Sequence, residues 1–528
     1  MIWPLTPIRC LHRAIDLYGR KEAVISGDTR LTYAQFGNRC ERLAGGLINA
    51  GIRGGDRVAY LSFNTNKLLE GYFGVPQARA IVMPLNVRLT PAELIAILNH
   101  SEARMLMFER DFAPLVRQLR RACPSIEQYV GLDGDEDAHF AYEQMLAGAF
   151  AERADIAACD ETAIAELFYT SGSTGTPKGV MLSHRTLYLH AMSVAGTFNR
   201  DDNGVELHTI PLFHANGWGR PQASTMMGLK HVMVRRFEPA AVFRLIQDER
   251  ATAMSLVPTM ANALLNAPEL TTFDHSTMRE IHMGGAASSP ELIDRLEKAF
   301  HCDVMAGYGL TETSPVATSA RKKCTVSYRD ESDRLQRLAM AGWAVPGIEI
   351  RVVDAEMRDV PRDMQAVGEV VILGDHVMDG YFKEPEATAA VMSAGWFHTG
   401  DMAVWDEDSY IHIVDRKKDI IISGGENISS IEVEKAIFAH PSVLECAVVA
   451  APDERWGEIP VAFVLLRLGE SLNPDDLGAF LATRIAKFKM PRAFEFVTEP
   501  LPKTGTGKIL KRELRERFWA GKSERVQG

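Results

Sequence analysis

Apolar and polar positions vary along the N-terminal two thirds of the chain in a way that predicts alternating strands and helices. The apolar runs 58–62, 80–85 and 104–108 have the length and composition of buried strands. Residues 90–100 carry apolar positions at helical spacing, and Thr90 is suited to cap that helix. Strands that alternate with helices favour an α/β fold with mainly parallel sheets.

Towards the C-terminus the pattern changes twice. Residues 348–353 and 368–373 predict short strands, which are typical of an all-β subdomain. The charged stretch Asp415-Arg-Lys-Lys-Asp419 then precedes an α+β pattern long enough for a small independent domain. The elements predicted in it are helix 430–438, strands 445–450 and 461–466, helix 474–486 and strand 493–497.

These patterns predict the domain organisation. We expect an α/β fold whose large N-terminal domain, residues 1–416, combines mixed sheets flanked by helices with a β-subdomain. Residues 417–418 are expected to form a hinge, and residues 419–528 a small α+β domain.

Composition places the chain among ordinary globular proteins and excludes some partners. Its apolar content is 46%, its charged content is 24%, and its net charge of −11 argues against a general affinity for nucleic acid. The seven cysteines are scattered without a CxxC pair, which fits a reducing compartment. No signal-peptide pattern or apolar run of transmembrane length is evident, so we expect a cytoplasmic protein without an integral membrane segment.

The most informative segment is a loop rich in Gly, Ser and Thr that follows a predicted strand. Its sequence is Tyr169-Thr-Ser-Gly-Ser-Thr-Gly-Thr-Pro-Lys-Gly-Val180, and residues 180–190 predict the start of a helix. Backbone N–H groups and hydroxyls of such a loop can bind phosphate oxygens, and Lys178 adds positive charge. The loop differs from the common P-loop, because Pro177 and Gly179 stand where that motif has its second Gly and its Ser or Thr.

Five other segments could contribute to a site, although each alone is also typical of an ordinary turn or linker. Glu312 offers a hard oxygen ligand for Mg²⁺, and Asp401 could accept hydrogen bonds from both hydroxyls of a ribose. His214 and Trp218 share one segment, and Lys508 lies in a Gly/Thr loop. The five segments are 211–218, 307–313, 396–401, 415–428 and 501–510.

Together these segments resemble the adenylate-forming superfamily, which includes acyl-CoA synthetases, amino-acid adenylation domains and beetle luciferases. They occur in that family's order and at similar spacings from residue 169 to residue 510, and residues 31–36 and 58–62 resemble its opening. The resemblance implies an AMP-forming acid–thiol ligase of the acyl-CoA synthetase family. Such an enzyme converts a carboxylic acid and MgATP to an acyl-adenylate and pyrophosphate, and CoA then displaces AMP.

The resemblance also implies roles for individual residues in the nucleotide site. Thr170 and Glu312 would position Mg²⁺, and Lys508 would bridge the acid carboxylate and the α-phosphate during adenylation. With His214, these residues form the expected catalytic set. The residues expected to bind ATP or AMP are Thr170, Ser171, Gly172, Ser173, Thr174, Gly175, Lys178, Trp218, Gly285, Ala286, Gly307, Tyr308, Thr311, Glu312, Asp401, Arg416, Lys418 and Lys508.

By the same resemblance, the small C-terminal domain is mobile and rotates between the two half-reactions. Lys418 occupies the hinge position, and rotation would withdraw Lys508 after adenylation. The expected CoA-binding residues, which would then line the path of the pantetheine arm, are Ser423, Gly424 and Gly425.

The expected acyl pocket is lined by small and apolar residues, which implies space for a chain or a ring. Its residues are His214, Trp218, Met283, Gly284 and Ala306, and the first two resemble gate residues. The segments 211–218 and 332–347 resemble fatty-acyl and short- or medium-chain ligases, including methylmercaptopropionate-type ligases. Asn427 stands where some long-chain synthetases have a gating Trp, which leaves medium-chain, branched and aryl acids open.

Other functions within and beyond this chemistry remain alternatives. An acyl-AMP ligase that loads a carrier protein, a luciferase-like oxygenase and a non-catalytic binding protein could share the fold. The leading expectation is a medium- to long-chain fatty acid–CoA ligase that uses ATP, Mg²⁺ and CoA. By analogy with the family, it could be a homodimer.

Overall fold

The computed structural model describes residues 3–134, 137–170, 177–198, 201–424, 426–453, 455–503 and 509–519. Up to residue 147, the helices are α1 (Pro7–Tyr18), α2 (Tyr33–Asn49), α3 (Asn66–Gln77), α4 (Pro91–Ser101), α5 (Ala113–Ala122) and α6 (Tyr142–Ala147). The strands of this part are β1 (Glu22–Ser26), β2 (Thr29–Thr32), β3 (Arg57–Leu61), β4 (Ile81–Pro84), β5 (Met105–Phe108), β6 (Gln128–Gly131) and β7 (Phe140–Ala141).

The next part of the chain holds most of the predicted site residues. Its strands are β8 (Ile164–Thr170), β9 (Lys178–Ser183), β10 (Val205–His208), β11 (Lys230–Met233), β12 (Ala253–Leu256), β13 (Glu280–Met283), β14 (Asp303–Gly309) and β15 (Val316–Ser319). Its helical segments are α7 (His184–Thr197), α8 (Ala215–Trp218), α9 (Arg220–Met227), α10 (Pro239–Glu249), α11 (Pro258–Leu265) and α12 (Pro290–Phe300).

The last part is richer in strands. Its helices are α13 (Glu331–Ala339), α14 (Pro385–Val391), α15 (Ser430–Phe438), α16 (Pro474–Ala482) and α17 (Lys511–Trp519). Its strands are β16 (Trp343–Ala344), β17 (Ile348–Val353), β18 (Gly368–Gly374), β19 (Gly380–Tyr381), β20 (Met392–Ser393), β21 (Trp396–Trp405), β22 (Ile411–Arg416), β23 (Ile421–Ser423), β24 (Glu426–Ile428), β25 (Val443–Asp453), β26 (Gly457–Leu466) and β27 (Ala493–Val497).

Two large sheets form the N-terminal part. One has the strand order β16-β15-β14-β13-β12-β10-β11-β1-β2, and the run from β14 to β1 is parallel. The other has the order β19-β9-β8-β4-β3-β5-β6-β7, and the run from β8 to β7 is parallel. The predicted α/β class with mainly parallel sheets is therefore confirmed.

The two remaining sheets are smaller. The order β17-β18-β21-β20, with β22 beside β21, confirms the expected β-subdomain. In the C-terminal part, β23 to β27 form a five-stranded sheet whose core includes Ile437 of α15 and Leu477 and Leu481 of α16. This is the small α+β arrangement that the sequence predicts.

By packing, the chain falls into two units. The first consists of Met1–Ile350, Ile372–Phe397 and Asp408–Ile411, and the second of Arg351–Val371, His398–Glu407 and His412–Gly528. The predicted domain boundary at residue 416 and the predicted hinge at 417–418 describe how the C-terminal domain would move. This division by packing does not test them, so they stay predictions.

Local rules explain where the predicted elements begin. The Thr90 side chain accepts a hydrogen bond from the backbone N–H of Glu93, and the Glu93 carboxylate accepts one from the Thr90 N–H. This capping box starts α4 where the sequence predicts it.

The helix predicted from residue 180 is wrong in its start. Residues 178–183 continue as strand β9, because their backbone pairs with β8 in antiparallel register. Ser183 caps α7, which begins at His184. Among the described helices, none is long and apolar enough to cross a membrane. All seven cysteines are free thiols, and Cys324 is exposed.

Candidate active site

The two ends of the glycine-rich loop are fixed by a pair of antiparallel strands. Thr170, the last residue of β8, lies opposite Lys178, the first residue of β9, and Tyr169 lies opposite Gly179. The loop therefore returns into the same sheet, whereas in a P-loop the chain passes directly into a helix. The loop residues Ser171, Gly172, Ser173, Thr174 and Gly175 lie outside the described residues.

Tyr381 links the loop to the predicted metal ligand. The Tyr381 hydroxyl donates a hydrogen bond of 2.9 Å to the Glu312 carboxylate, and its ring centroid lies 4.8 Å from the Lys178 ammonium. Strand β19, which carries Tyr381, pairs with β9 next to Lys178, so the sheet itself sets this position. The backbone oxygen of Glu312 accepts a hydrogen bond of 2.8 Å from the Met378 N–H. Tyr381 thus brings Lys178 and Glu312 together, and strand pairing places Thr170 opposite Lys178.

The turn around Glu312 is held by close backbone packing. A Cβ at Gly309 would lie 1.7 Å from the carbonyl oxygen of Pro315, so only glycine fits there. A Cβ at Gly307 would lie 2.8 Å from the carbonyl oxygen of Thr318. Behind the turn, the Val316 N–H donates to His190 Nε2 at 3.1 Å, and the Ser314 hydroxyl donates to the His376 carbonyl at 2.8 Å.

Burial keeps the side chains of His190 and His376, which support the turn, uncharged. Burial lowers the pKa of His190 well below its usual value, and the pKa of His376 is also lowered by burial. Because Nε2 of His190 accepts a hydrogen bond from a backbone N–H, its proton belongs on Nδ1. The imidazole rings lie edge to face with their centroids 5.1 Å apart.

Residues predicted for the acyl pocket, and several predicted to bind ATP or AMP, lie at the carboxyl ends of parallel strands. Met283 at the end of β13 is in register with Ala306 of β14 and with Leu256 at the end of β12. Met283, Gly284 and Ala306 are buried, whereas Gly285 and Ala286 are exposed. In α/β sheets, ligands bind in the crevice at this edge. The structure therefore places these residues together, with Gly307 and Tyr308 directly following Ala306.

Trp218 covers the backbone next to Met283. A Cβ at Gly284 would lie 2.9 Å from the Trp218 ring, and one at Gly285 would lie 3.5 Å from it. The absence of a side chain at position 284 thus makes room for the indole. This contact joins the predicted gate segment to the predicted acyl pocket.

The segment that carries His214 and Trp218 has an uncommon backbone. Residues 215–219, which we call the gate turn together with His214, all have positive φ angles between 40° and 73°. The Gly217 N–H donates to the His214 carbonyl, and the Gly219 N–H donates to the Asn216 carbonyl, both at 3.1 Å. A left-handed turn costs about 1–2 kcal/mol for each non-glycine residue, so neighbouring groups must hold it. The sequence gives no sign of this turn beyond its two glycines.

In the second unit, Asp401 and Arg416 form an ion pair. Arg416 Nε lies 2.6 Å from Asp401 Oδ1, and the Lys417 N–H donates to the Gly400 carbonyl at 2.9 Å. The Asp401 side chain is buried and that of Arg416 is 42% exposed. Strands β21 and β22 thus bring Asp401, for which the sequence suggests a ribose contact, together with Arg416, which is also expected to bind the nucleotide.

The predicted hinge segment is tied to two helices of the same unit. Arg515 of α17 donates to the Lys418 carbonyl at 3.0 Å and pairs with Asp419 at 2.8 Å. The buried Asp415 carboxylate accepts hydrogen bonds from the Ser430 N–H and hydroxyl at 2.5 and 2.6 Å. Lys511 donates to the Ser430 hydroxyl, at 2.6 Å. The segment that follows the predicted adenylation lysine in the sequence is therefore anchored next to the hinge.

The predicted CoA-binding segment forms a tight hairpin. Ser423 of β23 lies opposite Glu426 of β24, and the Gly424 N–H donates to the Trp456 carbonyl at 2.8 Å. Gly424 has a φ of 60°, and a Cβ there would lie 2.6 Å from the Trp456 ring. Gly425 and Lys508 lie outside the described residues, and so does the side chain of Asn427.

Comparisons with known proteins identify this arrangement. Residues 11–382 match the AMP-binding enzyme family, and residues 432–508 match the AMP-binding enzyme C-terminal domain. The chain belongs to the AMP-binding enzyme family. The predicted membership of the adenylate-forming superfamily is confirmed.

Similar proteins extend over nearly the whole of this AMP-binding enzyme. A long-chain-fatty-acid–CoA ligase of Thermus thermophilus is 41% identical over 519 residues, which are 96% of this chain and 94% of the relative. A feruloyl-CoA synthase of Amycolatopsis sp is 38% identical over 94% of this chain and 96% of its own. The crystal structure of the anthranilate CoA ligase AuaEII with anthranoyl-AMP covers 98% of both chains with a TM-score of 0.87 and 26% identity. The predicted enzyme class, an AMP-forming acid–thiol ligase, is confirmed, and so is the predicted fold class.

The donors near the loop of this AMP-binding enzyme suit a magnesium ion that arrives with a nucleotide. Glu312 and Thr170 offer a carboxylate and a hydroxyl oxygen, which are ligands that Mg²⁺ prefers. Within the described part of the chain, no three His, Cys, Asp or Glu side chains come together in a way that could hold a metal. Mg²⁺ is commonly bound by one or two carboxylates plus substrate phosphates, so the donor set fits that mode.

Proposed function

We propose that this enzyme joins a medium- to long-chain fatty acid to CoA through an acyl-adenylate. The observation that carries the proposal is that Lys178 and Glu312 both contact Tyr381, while Thr170 lies opposite Lys178. Glu312 follows strand β14, which contains the buried Ala306. The proposed phosphate site would therefore adjoin the buried residues that we expect to line the acyl pocket. The Thermus thermophilus relative, named for long-chain fatty acids, supports this choice of acid.

In the proposed adenylation step, an acid oxygen attacks the α-phosphorus of ATP and pyrophosphate leaves. Thr170 and Glu312 would hold Mg²⁺, which neutralises negative charge on the phosphates. Lys178 faces the same region with its positive charge, and Tyr381 orients the Glu312 carboxylate through its hydroxyl. Lys508 would stabilise charge that develops between the carboxylate and the α-phosphate, which is commonly worth a factor of about 10²–10³ in rate.

In the proposed second step, the thiol of CoA attacks the acyl carbonyl, AMP leaves and a thioester forms. The neutral, buried wall of Met283, Gly284 and Ala306 would exclude water from the adenylate. Asp401 and Arg416 would hold the ribose hydroxyls, and rotation about Lys418 would exchange Lys508 for Ser423, Gly424 and Gly425. We further propose a cytoplasmic homodimer, and the seven free thiols fit a reducing compartment.

Aryl acids are the second candidate substrates. Feruloyl-CoA synthase and the anthranoyl-AMP complex are similar over nearly the whole chain, and both names refer to ring-containing acids. The Trp218 ring against Gly284 offers a flat apolar surface on which a ring could stack. Short, branched and methylmercaptopropionate-type acids remain further alternatives, as does transfer to a carrier protein.

The test is pyrophosphate release with MgATP across a panel of acids from acetate to stearate, with aryl acids included. Each acid is measured with and without CoA, and the product is identified by mass. Turnover that requires CoA and gives a fatty acyl-CoA supports the proposal, and a preference for ferulate or benzoate moves it to aryl acids. A single burst of pyrophosphate, with acyl-AMP accumulating despite CoA, contradicts CoA as the acceptor. Lys508→Ala is the control for background hydrolysis of ATP.

A further inference from the structure

A carboxyl group in the middle of β8 contacts the gate turn. Glu166 Oε2 accepts a hydrogen bond of 3.2 Å from the side-chain amide of Asn216, and Glu166 Oε1 accepts one of 2.6 Å from that of Gln222. The side chains of all three residues are buried, with exposures of 1% or less. Glu166 has no role in the expected nucleotide, acid or CoA sites.

One of the two amides lies within the turn that Glu166 holds, and the other lies in the helix that follows it. Asn216 is in the middle of the left-handed turn, and its side-chain oxygen accepts a hydrogen bond of 2.5 Å from the Gly219 N–H. Gln222 lies in the first turn of α9, directly after Gly219. One carboxyl group therefore fixes both the turn and the helix that follows it. This supplies the support that a run of positive φ angles requires.

Strand β8 connects this carboxyl group to the phosphate loop. Thr170, the predicted metal ligand, follows Glu166 by four residues on the same strand. On the other side, Trp218 of the gate turn packs on the backbone of Gly284. A rigid strand thus joins the nucleotide end of the site to the element that covers the acyl end.

We propose that Glu166 is a positioning residue that holds the gate turn, and with it His214 and Trp218, in register with the phosphate-loop strand for acid binding. This inference rests on the proposed function, because it assigns the acid to the pocket beside Trp218. Glu166 acts through Asn216 and Gln222, and it does not contact the reacting atoms.

The protonation state of Glu166 allows a second test of its role. Burial raises the pKa of Glu166 to about 8, and the hydrogen bonds from Asn216 and Gln222 oppose this shift. Around it lie the neutral amides of α8 and α9, its sheet neighbours Val82 and Leu182, and Tyr72 of α3, whose pKa is raised by burial and by Glu166. At pH 7 the protonated form of Glu166 is therefore favoured. The Gln222 side-chain oxygen has no hydrogen-bond partner among the described residues, so a rotated Gln222 amide could accept the Glu166 proton.

The test compares Glu166→Leu, which removes both hydrogen bonds, with Glu166→Gln, which mimics the neutral acid. At pH 7, E166L should raise KM for the acid about tenfold while KM for ATP changes by less than about twofold. E166Q should behave like the unmodified enzyme at that pH. Hydrogen exchange of the Gly217 and Gly219 amides should be faster in E166L than in E166Q, and this readout requires no turnover.

A second experiment measures stability as a function of pH and depends on the raised pKa of Glu166. Because the folded protein holds the Glu166 proton more tightly than the unfolded chain, stability of the unmodified enzyme should fall as pH rises from about 4.5 to about 8, and E166Q should lack this contribution. Where E166L does not fold, Gln222→Leu in α9 removes one of the same bonds from the other side without a positive φ angle, and the same selective rise in KM for the acid is expected.

Three results would overturn the inference. The first is an unchanged KM for the acid in E166L. The second is an equal rise in KM for acid and for ATP that parallels a loss of melting temperature. The third is a rise in KM for the acid in E166Q as large as that in E166L. Failure of the unmodified enzyme to adenylate any acid would contradict the proposed function instead. The rate of hydrogen exchange at the Gly217 and Gly219 amides would still decide whether Glu166 holds the turn.

Discussion

At the scale of single residues, the least expected member of the site is Tyr381. It lies 69 positions from Glu312 in the sequence and contacts the Glu312 carboxylate only because β19 pairs with β9. The motif residues could be predicted because their types and spacing match a family. Tyr381 could not, because a tyrosine after a glycine has no local pattern and its role depends on sheet pairing.

The first residue-scale prediction concerns Glu312. Glu312→Gln keeps the side-chain shape but removes the negative charge that would hold Mg²⁺, so adenylation should fall by about a hundredfold and require more Mg²⁺. Tyr381→Phe is the matched variant. It removes one hydrogen bond and keeps the ring beside Lys178, so a loss of only about fivefold is expected.

The measurement is the initial rate of pyrophosphate release as a function of Mg²⁺ concentration at saturating ATP and acid. Equal Mg²⁺ dependence in E312Q and the unmodified enzyme would show that Glu312 does not hold the metal.

At the scale of elements, prediction from the sequence was most accurate where residues close together in the chain determine the structure. Helix 430–438 and strand 493–497 have the predicted bounds, and α4 begins after Thr90 because of its capping box. The prediction was wrong at residues 180–183, where pairing with β8 extends a strand into a segment with helical character. The left-handed gate turn was also not foreseen, because distant groups hold it.

The element-scale prediction uses two glycines near one helix. Gly219 has a φ of 73°, and a Cβ there would lie 2.1 Å from the His190 ring of α7. Gly219→Ala should therefore destabilise the protein by about 2 kcal/mol or more and lower its activity. Gly196 lies near the end of α7 and has nothing within 4 Å of an added Cβ. Gly196→Ala should leave activity unchanged and stabilise the protein by about 0.5–1 kcal/mol.

Urea unfolding followed by circular dichroism gives both free energies of unfolding, and the acid KM shows whether the gate has moved. A Gly219→Ala variant with unchanged stability and acid KM would argue that the turn tolerates ordinary backbone angles.

At the scale of the whole molecule, the proposed catalytic cycle requires two states of the C-terminal domain. The described anchors of the hinge are internal to the second unit, since Arg515 and Ser430 bind residues 415–419 from α17 and from the start of α15. Lys418 and Asp419, which Arg515 binds, should therefore move together with α17. Residue Lys508 precedes α17 by three positions in the sequence.

The corresponding prediction separates the half-reactions. Lys508→Ala should lower the rate of acyl-AMP formation by about 10²–10³ and leave the conversion of added acyl-AMP to acyl-CoA within about threefold. The control is Lys503→Ala in the same segment as Lys508. It removes an ion pair with Glu445 of β25 and should change neither rate much. Single-turnover measurements with ATP or with synthetic acyl-AMP give the two rates, and equal losses in both would contradict the rotation scheme.

The gate turn also has a practical consequence for redirecting the enzyme to other acids. A library that randomises Ala215, Asn216 or Gly217 would mostly yield misfolded clones, because few side chains tolerate their backbone angles. Positions 283 and 306 stand on regular strands whose backbone is fixed by neighbours on both sides. Directed evolution of the substrate range should therefore randomise positions 283 and 306 and keep the gate turn unchanged.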